Sequence, residues 1–122
     1  RVDQKSTSFP STLRLLEQAE FKCVFAKPER SSDKYFTVLA IPNNLTHPRL
    51  GLAIAKKSVK RAVDRNRIKR SARESFRLLQ HEISALDFVV MARREAAVES
   101  SKVLQASMDK HWLKLVKRCA PS

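Results

Sequence analysis

Residues 49–91, RLGLAIAKKSVKRAVDRNRIKRSARESFRLLQHEISALDFVVM, decide the fold, because two apolar runs flank a long charged segment. The runs at residues 49–55 (RLGLAIA) and 87–91 (DFVVM) each predict a strand. Between them, apolar residues recur every three or four positions, which predicts a helix over residues 58–80 with Ser58 as its N-cap. This strand–helix–strand order indicates a parallel pair of strands joined by a crossover.

The first of these strands has two unlike faces, because successive side chains point to opposite sides of a sheet. Its large side chains should pack on a helix, whereas its small ones leave a shallow floor that a bulky partner could approach. The large residues are Leu50, Leu52 and Ile54, and the small ones are Gly51, Ala53 and Ala55.

Further elements are predicted on either side of this unit. Residues 35–41 (YFTVLAI) are rich in β-branched and aromatic residues and predict a strand. Ser100 or Ser101 opens a last helix, with a core-facing side formed by Leu104, Met108, Trp112 and Leu115. We expect a single domain over residues 13–118, preceded by a flexible polar arm at 1–12 and followed by a short tail at 119–122.

Residues 21–25 allow two interpretations. Phe21, Val24 and Phe25 have the spacing of one helix face, whereas Phe21, Cys23 and Phe25 alternate as in a strand. Periodicity leaves both open. Cys23 and Cys119 are the two cysteines of the chain, and either two thiols or one disulfide fits that number.

The charge of the chain indicates an anionic partner. Its 122 residues include 25 Lys and Arg against 12 Asp and Glu, a net charge of +13. Ten of the basic residues, against two acidic ones, lie in residues 56–77, so this segment supplies +8 of the total. Such an excess repels itself unless a polyanion neutralises it, which favours a nucleic-acid or anionic-surface partner.

The predicted helix carries its basic residues mainly on the side away from its apolar stripe. On a helical wheel, one arc of about 100° contains Asn66, Lys69, Arg70, Arg73 and Arg77. An Arg-rich face of this kind can present forked donors to phosphates. Arg61 and Arg65 fall instead within the apolar arc, so either the helix overhangs the core at its start or its first turn is irregular.

Protein-based catalysis is not indicated. The three histidines are scattered without metal-ligand spacing, and the acidic residues form no evident metal cluster. Gly51 is the sole glycine, which excludes glycine-rich phosphate loops. No apolar run approaches 18 residues, so membrane insertion is not expected. The pattern is that of a binding protein with neither catalytic nor metal-ligating residues.

These residues resemble the bacterial ribonuclease P protein family. The resemblance rests on residues 49–57 (RLGLAIAKK), 62–70 (AVDRNRIKR), 73–77 (RESFR) and 87–93 (DFVVMAR), together with the pair Phe21 and Phe25. The Arg-Asn-Arg element followed by Lys-Arg is the hallmark of that family, and the likeness extends over about residues 13–118. It implies a compact α+β domain, with a central mixed four-stranded sheet packed on helices and a left-handed strand–helix–strand crossover. It also implies that Phe21 and Phe25 share a short helix.

The resemblance further implies two RNA-binding surfaces. The surface for the catalytic RNA would comprise Arg61, Arg65, Asn66, Arg67, Lys69, Arg70 and Arg73. The cleft for the 5′ leader of precursor tRNA would comprise Arg14, Phe21, Phe25, Tyr35, Thr37, Leu39, Ala53, Lys56 and Lys57. Leu39 departs from family members that carry an aromatic residue there. Unstacked leader bases could lie on the aromatic rings while lysines follow the backbone.

The function implied by the resemblance is that of a subunit of a cytoplasmic ribonucleoprotein endoribonuclease. The protein would bind the catalytic RNA and the precursor tRNA and promote removal of the 5′ leader. Catalysis and the Mg²⁺ requirement would belong to the RNA subunit, with no cofactor on the protein. The alternatives are a ribosomal-type rRNA-binding protein and a free-standing nuclease.

Overall fold

The computed structural model of this protein describes residues 24–26, 28–43, 45–83 and 85–119. The elements in chain order are β1 (Glu29–Ser32), β2 (Phe36–Pro42), β3 (Arg49–Leu52), α1 (Ala62–Leu79), β4 (Leu86–Ala92), a 3₁₀ helix (Arg94–Val98) and α2 (Ser101–Cys119). The arm expected at residues 1–12, together with Arg14, Phe21 and Cys23, lies outside the described residues.

The four strands form one mixed sheet in the order β1-β2-β4-β3. The β3–β4 pair is parallel and is joined through α1, whereas β1–β2 and β2–β4 are antiparallel. The predicted fold class, including the parallel pair across a helix, is confirmed. The left hand of the crossover stays a prediction.

Strand β1 is the sheet element that the sequence did not reveal. Its residues, ERSS, are mostly exposed and have no alternating apolar pattern. The strand exists because its backbone pairs with β2, from Glu29 opposite Ala40 to Ser32 opposite Thr37. Edge pairing of this kind depends on the neighbouring strand rather than on local propensity.

The main core lies between one face of the sheet and the two helices. Three aromatic rings meet there edge to face, because Phe76, Phe88 and Trp112 have centroids 5.3 to 5.7 Å apart. Trp112 also donates its indole N–H to Ser75 Oγ at 2.8 Å, so its polar atom is satisfied. The prediction that Met108 and Trp112 are core residues is confirmed, since both are fully buried.

Helix α1 begins at Ala62, four residues later than predicted. Residues 56–58 form a turn, in which the N–H groups of Ser58 and Val59 approach the carbonyl of Ala55 at 3.2 and 3.0 Å. Val59 is fully buried, and Arg61 is the extended N-cap, without a side-chain capping bond. Ser58 is therefore not the N-cap, because the chain must first bring Val59 into the core.

The opposite face of the sheet carries a smaller apolar cluster of Val24, Leu39 and Val89. The partly buried side chains packed against it are Ile41, Ala53 and Met91. Residues 24–26 are helical, which favours the helix interpretation for the described part of residues 21–25. The expected division of β3 is confirmed, because Leu50 and Leu52 pack in the main core and Ala53 on the small cluster.

Candidate nucleic-acid interface

The most cationic part of the described surface is the segment that leads from β3 into α1. Lys56, Lys57, Lys60 and Arg61 are all exposed. Because this segment follows a strand whose end is fixed by pairing with β4, its lysines are held near the sheet edge. The helical wheel put Arg61 among the apolar residues of the helix. Because the helix begins only at Ala62, Arg61 lies before it and its side chain stays exposed.

Arg65 folds back on this segment instead of projecting outward. Its Nη1 donates to the carbonyl oxygens of Val59 and Lys60, at 2.9 and 2.8 Å. Carbonyls at the approach to a helix have no helical partner, so a guanidinium that binds two of them stabilises the turn. Arg65 is half-buried, and part of its hydrogen-bonding capacity is used within the protein.

Arg67, which the resemblance implies as a contact of the catalytic RNA, also forms hydrogen bonds within the protein. Its Nη2 donates to the carbonyl of Ala97 at 2.7 Å, and its Nη1 donates to the carbonyl of Glu99. Asp64 Oδ1 lies 3.5 Å from Nη2, and the Arg67 side chain is 28% exposed. The wheel could not reveal this, because these carbonyls lie 30 or more residues away in the chain.

The outer side of α1 does present polar and cationic groups to solvent. Asn66 and Arg70 are exposed, and Lys69 is half-buried. None of these three side chains has a hydrogen-bond or ion-pair partner in the part of the chain that the structure describes. Arg73 is half-buried and already has a partner. Hence only part of the predicted set forms an open donor surface.

A groove separates the segment before α1 from the 3₁₀ helix. It consists of two adjoining depressions of about 630 and 530 Å³, both lined by Lys57, Ser58 and Arg94. Lys60, Arg61 and Asp64 line one depression, and Arg93 and Glu95 line the other. Cations therefore line the groove from both sides, which concentrates positive potential between them.

Arg93 and Arg94 were not among the predicted site residues, although the sequence contains a usable signal. β3 and β4 are parallel, so the chain leaves both strands at the same edge of the sheet. Lys56 and Lys57 follow the first strand and Arg93 and Arg94 follow the second. Two basic pairs after two parallel strands thus predict one cationic edge.

The leader-binding set is only partly brought together. Phe25 is 47% exposed beside the small cluster, and Ala53 packs against that cluster. Thr37 lies on the same side of β2 as Leu39, and its Oγ1 accepts from Arg93 Nη2 at 3.3 Å. Lys56 and Lys57 are at the adjoining edge. Phe25 supplies the accessible aromatic ring among the described residues on this side of the sheet.

Leu39 and Tyr35 differ from the expected arrangement. Leu39 is 3% exposed within the small cluster, which leaves no surface for a base to stack on. Tyr35 packs against the main core, and its hydroxyl donates to Glu99 Oε2 at 3.0 Å. This hydrogen bond raises the pKa of the Tyr35 phenol. Tyr35 precedes β2, so strand alternation does not put it on the face of Leu39.

A family model described as Ribonuclease P matches residues 9–116. The ribonuclease P protein component of Methylococcus capsulatus is 54% identical over 121 residues, covering 99% of this chain and 94% of that protein. The chain belongs to the ribonuclease P protein family. Members are protein components of the endoribonuclease that processes the 5′ end of tRNA, so the ribosomal-type alternative is not favoured.

Solved ribonuclease P proteins share the fold. The Staphylococcus aureus protein superposes with a TM-score of 0.78 at 33% identity, covering 88% of this chain and 98% of that one. The Thermotoga maritima protein gives a TM-score of 0.73 at 27% identity, with the same coverage. The whole described domain, rather than a fragment of it, therefore has the ribonuclease P protein architecture.

The described residues show no cluster of metal-ligating side chains. No group of three or more His, Cys, Asp or Glu side chains is close enough there to hold an ion. Of the two described carboxylates that line the groove, Asp64 faces the guanidinium of Arg67, and Glu95 lies in the other depression beside Arg93 and Arg94. A divalent cation would be repelled by this cationic surface, so the groove does not fit Mg²⁺.

Among the residues that the structure describes, no helix has the length and apolar character needed to traverse a bilayer.

Proposed function

We propose that this ribonuclease P protein binds the catalytic RNA through its cationic edge and the outer side of α1, and binds the 5′ leader of precursor tRNA across the sheet face on which Val24 packs, next to Phe25. The observation that carries the proposal is the cationic edge. There, Lys56 and Lys57 in the segment after β3 lie at the same edge of the sheet as Arg93 and Arg94 in the segment after β4. This edge adjoins both surfaces and can follow one continuous RNA backbone.

The catalytic-RNA side is supported by the open donors of α1. Asn66, Lys69 and Arg70 have no partner among the described residues, so binding phosphate would break no internal contact. Guanidinium groups bind phosphate oxygens in a bidentate manner, which favours Arg70 as the principal contact. Arg61 adds a second exposed guanidinium before the helix.

The leader side is supported by the exposed ring of Phe25. An unstacked base can lie on an aromatic face, while Lys56 and Lys57 neutralise the phosphates on either side of it. Thr37 and Arg93 supply hydrogen-bonding groups at the same edge. Phe21 and Arg14 lie outside the described residues, and their part in leader binding stays a prediction. Leu39 would pack in the small apolar cluster with Val24 and would not contact RNA.

The chemistry would reside in the RNA subunit. Mg²⁺ bound by that RNA would supply the metal-assisted hydrolysis, in the cytoplasm, and the protein would neutralise phosphates and hold the leader. A contact with the leader is present in the precursor and lost in the product. The protein would therefore favour precursor over mature tRNA.

The decisive experiment measures cleavage of a precursor tRNA in Mg²⁺ by the protein alone, by the catalytic RNA alone, and by both. We expect no cleavage by the protein alone and a single cut at the mature 5′ end by the complex, with tighter binding of precursor than of mature tRNA. Cleavage by protein freed of all RNA would identify a nuclease. Binding to the catalytic RNA without any effect on precursor binding or cleavage would refute the leader-binding role.

A further inference from the structure

The 3₁₀ helix forms one wall of the groove, and Arg67 of α1 hydrogen-bonds to one carbonyl within this helix and to one just after it. The carbonyls of Ala97 and Glu99 both accept hydrogen bonds from this guanidinium. Arg94, which lines both depressions of the groove, belongs to the same 3₁₀ helix. The 3₁₀ helix is also anchored by Ala96, which is buried in the main core, and Arg67 adds the polar contacts that hold the segment carrying Arg94 against α1.

Electrostatic repulsion tends to push the two walls of the groove apart. Lys57, Lys60 and Arg61 on one wall and Arg94 on the other carry charges of the same sign, which repel one another until an anion lies between them. Charge-assisted hydrogen bonds from Arg67 to the opposite wall resist this repulsion, and they are about twice as strong as neutral ones. Asp64, beside Arg67, lowers the net charge within the groove.

We propose that Arg67 is a positioning residue, which holds the 3₁₀ helix against α1 so that Arg94 and the Lys57–Arg61 segment face each other across one binding groove for RNA backbone phosphates. This inference rests on the proposed function, since it explains how the cationic edge is assembled. Arg67 would affect RNA binding through Arg94 and would not itself need to touch a phosphate.

Arginine suits this position better than lysine or glutamine, for a geometric reason. The two carbonyls need two donors that diverge from one planar group, and the guanidinium supplies them in a fixed fork. A lysine keeps the charge but concentrates its donors at a single nitrogen. A glutamine loses the charge but keeps a planar amide with two N–H donors. These substitutions therefore separate charge from geometry.

The first test compares Arg67→Lys with Arg70→Ala in binding of the purified protein to the catalytic RNA of ribonuclease P over a range of salt concentrations. Arg70→Ala should lower the log–log salt slope by about 0.7–0.9 and leave the melting temperature unchanged. Arg67→Lys should lower both the slope and the melting temperature, although the charge is retained. An unchanged slope for Arg67→Lys would overturn the positioning role, because it would show that charge alone suffices.

The second test is a double-mutant cycle between Arg67→Lys and Arg94→Ala. In the unaltered protein, Arg94→Ala should reduce the salt slope by about 0.7–0.9. In the Arg67→Lys background it should change the slope by almost nothing, because Arg94 would already be displaced. Additive effects would show that the two residues act independently and would overturn the inference.

All four proteins of the cycle are measured at a temperature where each is folded by circular dichroism. If Arg67→Lys does not fold, Arg67→Gln takes its place, since its amide can still donate to the carbonyls. In the Arg67→Gln background, Arg94→Ala should reduce the salt slope by less than it does in the unaltered protein. The full effect there would overturn the inference. Failure of the unaltered protein to bind the RNA would refute the proposed function, whereas normal binding with an additive cycle would refute only the role of Arg67.

Discussion

The two faces of the sheet are built differently, although the same strands supply both. On one face, β2 and β4 contribute Phe36, Val38, Phe88 and Val90 to a core covered by α1 and α2. On the other, Leu39 and Val89 meet Val24, while Phe25 beside them stays half exposed. The first face is covered by two helices, whereas the second leaves apolar surface that a single-stranded RNA could cover.

The largest effect should come from the covered face. Phe76→Ala removes the ring that contacts both Phe88 and Trp112. Truncation of a buried Phe typically costs about 3–5 kcal/mol of unfolding free energy. Urea denaturation should show a loss of that size, whereas a loss under about 1 kcal/mol would mean that this aromatic cluster is not the centre of the core.

The next effect tests whether the second face is truly closed at Leu39. Leu39 and Leu50 are each 3% exposed, on opposite faces of the sheet, so they form a matched pair. Leu39→Ala and Leu50→Ala should each lower the unfolding free energy by about 2–5 kcal/mol. If Leu39→Ala left stability intact but reduced the preference for precursor tRNA, Leu39 would belong to the leader-binding surface after all.

Phe25 should show the opposite behaviour. Phe25→Ala should cost about 1–3 kcal/mol in affinity for precursor tRNA by the reconstituted holoenzyme, because one stacking platform is lost. Its effect on binding of mature tRNA should be much smaller. Leu113→Ala is the control, since Leu113 on α2 is 43% exposed, similar to Phe25. Equal losses for precursor and mature tRNA would remove Phe25 from the leader surface.

The smallest effect concerns a polar site where α2 meets β1. His111 is buried, with Nδ1 2.6 Å from Ser31 Oγ and Nε2 3.2 Å from Asp33 Oδ2. Burial lowers the pKa of His111, against the opposing effect of Asp33. Partial burial tends to raise the pKa of Asp33, but hydrogen bonds from Ser107 and from the N–H groups of Phe36 and Tyr35 lower it overall.

Acidification should therefore destabilise this site in two stages. His111 contributes its full stability above the ordinary histidine pKa of about 6.5 and loses it at lower pH, where the unfolded chain binds a proton more readily. The Asp33 contribution is lost only as pH falls through its own lowered pKa. The unfolding free energy should fall as the pH drops through the ordinary histidine value of about 6.5, and His111→Asn should flatten this dependence. The exposed His81→Asn control should retain it.

Some site residues could be predicted because their roles depend on local pattern. The basic residues of 56–77, the small side chains of β3 and the blocks that carry the family likeness can each be read from short stretches of sequence. In the structure, Lys57 and Arg70 are exposed, as expected for residues that bind RNA. The differences from the expected arrangement have a common cause, because each involves a partner far away in the chain. Arg67 meets Ala97 and Glu99, Tyr35 meets Glu99, and Leu39 packs beneath Val24 and against Val89.

The sequence by itself determined the strand–helix–strand unit, the core-facing side of the last helix and the positive charge, because periodicity and composition encode burial and net charge directly. Only the tertiary structure decided that β1 joins the sheet, that α1 starts at Ala62, and which arginines of the basic helix remain open to RNA. The same local sequence pattern is consistent with an arginine that hydrogen-bonds within the protein, such as Arg67, and with one that is exposed, such as Arg70. The difference between them is the presence of a carbonyl from another element, which exists only once the chain has folded.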